Sequence, residues 1–134
     1  MHELVVIVSR MLLAPIFIFA GQKNLRNPGP FAVKAAKVVP EPVSLHAVRA
    51  NGALMVVAGV AMALGIKPRL AALSLAGALV PTTLAGHAFW DDEPGPTRAT
   101  NQLQVAKNTG LIGGLLLVAA DSGKRKKRKH ATKA

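Results

Sequence analysis

The stretch Pro81-Thr82-Thr83-Leu84-Ala85-Gly86-His87-Ala88-Phe89-Trp90, followed at once by Asp91-Asp92-Glu93, decides how this chain is read. An apolar run carrying a proline and two threonines ends on His-x-x-Trp and then turns acidic. Read as the end of a membrane span, it puts His87 near one membrane face and Trp90 in the headgroup layer, where amphipathic rings settle. His87 then either belongs to a site or marks where a helix leaves the lipid.

Working outward, the run extends back to Leu70, and three more apolar runs cover roughly Leu4 to Ala20, Leu45 to Leu64 and Leu103 to Ala120. Each is long enough to cross the hydrocarbon core as a helix at about 1.5 Å rise per residue. Charges crowd between the runs. The expected fold is all-α: a polytopic membrane protein, a four-transmembrane-helix bundle over residues 1–120, followed by a basic tail over 121–134 that is expected to be disordered and cytoplasmic. A cleaved signal peptide fits poorly, because the first residues lack Lys and Arg, Arg10 interrupts the apolar run, and further spans follow.

The 134 residues suit one domain, and 51% of them are hydrophobic. The formal net charge of +11 suggests nucleic acid, but seven of the seventeen Lys and Arg lie in the last eleven residues. Lys124, Arg125, Lys126, Lys127, Arg128 and Lys129 adjoin a span, so they are read as a lipid- or partner-binding tail, with no nucleic-acid partner. Cysteine is absent, which excludes disulfides, thiol redox relays and cysteine-ligated metals. His2, His46, His87 and His130 do not fall at metal-ligand spacing. No Ser-His-Asp arrangement, phosphate loop or dinucleotide fingerprint is present, so no catalytic residue is assigned.

In the first run, Arg10 sits about two turns in, either snorkelling to the near face or pointing into the bundle. Pro15 removes a helical hydrogen bond and frees the carbonyl of Met11. In the first loop, Phe31 to Val39 is expected as a short interfacial helix with Lys34 and Lys37 on its wet side, against the alternative of an ordinary connection. Gly52, Ala58, Gly59 and their neighbours let the second span approach others closely. So do Ala78, Thr82 and Gly86 in the third, and Gly110-x-x-x-Gly114 in the fourth. Pro81 should bend the third span and release the carbonyl of Gly77, a loss the threonine hydroxyls can repair.

Four spans place both termini on one side. The basic tail and the Lys67/Arg69 turn assign that side to the cytoplasm, and the acidic loop at 91–93 to the outside. Lys23, Arg49, Asn51, His87, Gln104, Lys107 and Asn108 then share the outer depth, with no Asp or Glu in the apolar runs. Loop acids, freed carbonyls or a bound electron-rich ligand can balance these cations. A quinone head fits the last option, since its carbonyl oxygens accept hydrogen bonds and its tail prefers lipid. The candidate ligand-binding residues are Arg49, His87, Lys107 and Asn108. His87 and Lys107 would bind a quinone carbonyl, Asn108 would orient it, and Trp90 would act as a membrane anchor. The ordinary alternative is that these polar groups merely snorkel, with Lys107 pairing to Asp92.

Arg10, Gly21-x-Lys23, Gly65-x-x-Pro68-Arg69-x-Ala71, Thr82-Thr83-Leu84-Ala85-Gly86-His87-x-Phe89-Trp90 and Lys107-Asn108 together resemble the DoxX family of small four-helix membrane proteins. Two departures stand out: Arg49-Ala50-Asn51-Gly52-Ala53 lies where the family often carries a glutamate, and Gln104 lies where related sequences often carry histidine. The resemblance implies a non-catalytic subunit of a membrane redox or oxidative-stress complex in a bacterial inner membrane, in contact with lipid and with other redox proteins. A homo-oligomer is compatible with it. Two rival readings stand beside this one: a scaffold recruiting partners or anionic lipid through its basic tail, and a small anion-conducting transporter subunit.

Overall fold

The computed structural model describes residues 2–121 with their side chains and the helical path on to residue 133. The expectation of a separate tail over 121–134, with its basic run Lys124 to Lys129, falls outside the described side chains. The elements are α1 (His2–Arg26), α2 (Gly29–Ala35), α3 (Val43–Leu64), α4 (Pro68–Gly86), a single 3₁₀ turn (Phe89–Asp91) and α5 (Pro96–Lys133). Four helices among the described residues are long and apolar enough to cross a membrane. The chain is therefore an all-α, multi-pass membrane protein, as expected.

Each long helix buries one stripe. In α1 the buried residues are Ala14, Phe17, Gly21 and Asn24, the three-and-four spacing of a single helical face. In α3 the stripe runs Ser44, Val48, Gly52, Met55, Gly59 and Met62. In α4 it runs Ala71, Ala72, Leu75, Ala78 and Leu79. The opposite faces carry exposed Leu, Val and Ile, such as Leu12, Val57, Leu70 and Leu117. That is the reverse of a soluble bundle and is what lipid demands.

The tightest seam joins α1 to α3. A Cβ added to Gly21 would lie 2.5 Å from the Gly52 carbonyl oxygen, and one on Gly52 would lie 2.8 Å from the Gly21 carbonyl oxygen. Only two glycines let these backbones meet, and van der Waals contact then replaces the hydrophobic drive that lipid does not supply. Farther along, a Cβ on Gly59 would lie 2.9 Å from Ile18 Cγ1. The fourth-span motif behaves differently. Gly110 faces open space, and a Cβ on Gly114 would lie at an ordinary 3.6 Å from the Leu13 methyls. Its Gly-x-x-x-Gly spacing does not mark the closest helix approach, because the helices that part around α5 leave Gly110 on the outside.

At one end of the bundle, α3 stops at Gly65, which takes φ 73°. Ile66 N–H reaches Ala61 O at 2.8 Å and Gly65 N–H reaches Met62 O at 3.1 Å, a Schellman closure that needs a left-handed residue. The Arg10 guanidinium lies against this turn, 3.2–3.5 Å from where a Gly65 Cβ would be. It points into the bundle and faces the negative end of the α3 dipole. His2 Nε2 and Asp121 Oδ1 are 3.3 Å apart at the same end. The start of α1 and the end of the apolar part of α5 therefore share one face of the bundle.

Helix limits differ from the apolar runs. α1 continues to Arg26 and α5 starts at Pro96, so polar turns extend both helices past the expected span ends. α4 stops at Gly86, short of Phe89. The expected interfacial helix is present but lies earlier, at Gly29–Ala35, with turns through Val39 closed by N–H bonds to Ala35 O. Pro30 falls in its first turn, where a missing N–H costs nothing.

Candidate functional site

The end opposite Arg10 gathers most of the polar residues. Thr82 and Thr83, the two residues directly after Pro81, organise it. Thr82 Oγ1 donates to Ala78 O at 2.9 Å and accepts from Asn51 Nδ2 of α3 at 3.0 Å. Thr83 Oγ1 donates to Leu79 O at 2.7 Å and accepts from Asn108 Nδ2 of α5 at 2.9 Å. Adjacent hydroxyls thus clasp α4 to the helix on either side. The hydroxyls bond the carbonyls of Ala78 and Leu79, not that of Gly77. Their main effect is to bridge helices, not to mend the proline gap. Such bonds average about 0.6 kcal/mol in lipid.

His87 caps α4. Its Nδ1 lies 3.2 Å from Asn101 Oδ1, and Asn101 Nδ2 donates to Asp92 Oδ2 at 2.7 Å. Arg98 Nη1 donates to the Asp92 carbonyl at 3.3 Å, holding the acidic loop over α5. Lys34 of α2 donates to Gly86 O at 2.9 Å, tying the first loop to the end of α4. Lys23 Nζ sits 5.5 Å from the Phe31 ring centre, a cation–π contact across the turn from α1 to α2.

Two cavities result. A smaller one of about 220 Å³ lies between α1 and α5; apolar side chains such as Phe17 and Leu111 make most of its wall, and Lys23, Asn24, His87, Gln104, Lys107 and Asn108 form its polar border. No carboxylate lines it. An apolar cleft of about 580 Å³ lies between α2, α3 and α4, with Val38, Leu54, Val80 and Leu84 along it. Those four side chains are exposed, so the cleft opens on the lipid-facing surface. Asn24, Phe31 and Thr82 line both spaces and form the wall between them.

Of the candidate residues, the structure brings His87, Lys107 and Asn108 to the smaller cavity. Arg49 is exposed on α3 and lines neither space. Two residues on, Asn51 faces α4 instead. Lys107 Nζ donates to Gln104 Oε1 one turn earlier, and not to Asp92. Trp90 is half exposed and meets Phe89 edge-on at 5.3 Å, as suits an interfacial ring. The role expected of His87 changes. Its Nδ1 is engaged by Asn101, so this nitrogen is not available to donate to a ligand carbonyl.

Asn24, Asn101 and Phe31 were not foreseen. Asn24 was legible in principle, since it continues the Ala14, Phe17, Gly21 stripe at the same spacing. Asn101 lies in a polar turn before the fourth apolar run, where no hydrophobic signal marks a helix.

A four-helix membrane bundle with both described ends on one face, and a cation-lined cavity at the other face, is the class these features define. A family model described as DoxX matches residues 5–88, well over half of the chain, and the chain belongs to that family. The match ends beside His87, so α5 with Lys107 and Asn108 lies beyond it. Comparison with curated proteins and with solved structures returned no match.

Proposed function

We propose that this DoxX protein binds a quinone-type ligand at the outer end of its bundle and serves a membrane redox or oxidative-stress complex as a non-catalytic subunit. The observation that carries this reading is the wall shared by a cation-lined, carboxylate-free cavity and a lipid-facing apolar cleft. A ring with hydrogen-bonding oxygens and a hydrocarbon tail has that same two-part chemistry. Lys23, Lys107 and the Gln104 amide supply donors for a ring oxygen. Phe31 flanks the ring, and Val38, Leu54, Val80 and Leu84 receive the tail. Electrons come from a partner protein.

On the positive-inside tendency, the Lys67/Arg69 turn and both termini face the cytoplasm of a bacterial cell, and the cavity faces outward. Reporter fusions after residues 66 and 93 test this, with cytoplasmic signal expected only from the first.

Binding of a decyl-substituted benzoquinone to the protein in lipid nanodiscs tests the ligand. Lys107→Ala should weaken it about tenfold, the worth of one charge-assisted hydrogen bond. Ala47→Trp, which fills the cleft, should weaken it further by excluding the tail. Unchanged affinity in both variants would sink the site.

A further inference from the structure

We infer that Asn101, held by Asp92, fixes His87 as a hydrogen-bond acceptor toward the smaller cavity, so that the site selects a hydroxyl-bearing, reduced ring over its carbonyl form. This rests on the ligand reading above and adds to it which form is bound.

The argument begins at the surface and runs inward. A carboxylate only accepts, so the Asn101 group 2.7 Å from Asp92 Oδ2 must be its amide nitrogen. The Asn101 oxygen then faces His87 Nδ1 at 3.2 Å. An oxygen cannot donate, so Nδ1 carries the proton. In the neutral ring Nε2 is then left with its lone pair. Among the described residues Nε2 takes no hydrogen bond from the protein, and His87 borders the cavity. The amide orientation and the tautomer are therefore not free choices. The Asp92 carboxylate dictates both, two links away.

The charged groups that border the cavity with His87 are both donors. Lys23 and Lys107 can only donate, and Asn108 points its amide nitrogen at Thr83. A ring bearing two carbonyls satisfies the lysines and leaves Nε2 without a partner. A ring bearing hydroxyls satisfies both kinds of group, since one hydroxyl donates to Nε2 while its oxygens still accept from lysine. The acceptor is the stronger discriminator, because a site built for a hydroxyl rejects the analogue lacking it. Asn101 touches no ligand in this account; it is a positioning residue that acts through His87.

The test uses the full chain in nanodiscs with ¹⁵N-labelled histidine, assigned by loss of signal in His87→Ala. The expected result is a protonated Nδ1 and an unprotonated Nε2 at His87. Asn101→Leu, and the milder Asp92→Asn, should mix the two tautomers while helix content stays unchanged. A protonated Nε2 in the unmodified protein overturns the proposal.

Binding of decyl-benzoquinone and of its hydroquinone under anaerobic conditions completes it. The hydroquinone should bind about tenfold tighter, the worth of one hydrogen bond to a group otherwise left unmet. That ratio should fall toward one in Asn101→Leu. Equal affinities in the unmodified protein overturn the selectivity and leave the ligand reading intact. Failure of both forms to bind overturns the ligand reading itself.

Discussion

Along the α1–α3 seam, Gly21 and Gly52 bring two backbones so close that a Cβ on either would lie within 2.8 Å of the opposite carbonyl oxygen. Along the α1–α5 seam, a Cβ on Gly114 would lie 3.6 Å from Leu13, and toward the end away from Arg10 the helices part around a cavity of about 220 Å³. Both seams contain glycine, but only one uses it. In lipid, where apolar surface gains nothing by leaving the solvent, a seam closes only as far as shape and hydrogen bonds draw it. The first seam is closed by shape. The second is bridged on its α4 side by Thr83 and Asn108 and otherwise left open, which is the condition for holding a ligand.

The contrast can be broken most directly at Gly52. Gly52→Ala should cost about 1–3 kcal/mol, because the added methyl meets backbone and Asn24 and neither is free to move away. Denaturant unfolding in mild detergent measures this, and a loss under about 0.5 kcal/mol would mean the seam can spread. The clasp is next in size. A double-mutant cycle of Thr83→Val and Asn108→Leu should return a coupling near 0.6 kcal/mol, with about 1.7 as the ceiling for such pairs in lipid. Zero coupling would place the bond outside the stabilising network. The smallest effects belong to the fourth-span motif. Gly114→Ala and Gly110→Ala should each stay within about 0.5 kcal/mol of the unmodified protein. A large loss at Gly110 would reveal a packing partner outside this chain.

These same regions show how far the chain can be read from its residues. The four spans and the shared depth of His87, Lys107 and Asn108 are legible because lipid imposes length and apolarity on every crossing. Helix ends are not, because hydropathy reports the solvent and not the backbone. α1 runs six residues beyond Ala20, to Arg26, and α5 begins at Pro96, seven before Leu103. Those polar extensions carry Lys23 and Asn24 of the cavity border and Asn101, the partner of His87. Arg49 fails for a related reason. Depth along an axis is readable from sequence, but the direction a residue faces depends on which neighbour its helix meets. The buried stripe of α3 passes through Val48 and Gly52 and leaves Arg49 outside. Gly110-x-x-x-Gly114 misleads in the same way, since spacing shows where a partner would fit and not that one is there.

The bond from Lys34 to the Gly86 carbonyl spans 52 residues. During synthesis at about 5–20 residues per second, the acceptor follows the donor by roughly 3–10 s. Through that interval α1 and α2 exist without the strut that seats α2, and the apolar cleft has no third wall. The apolar cleft therefore acquires its third wall, and α2 its anchor, only when the third crossing is finished.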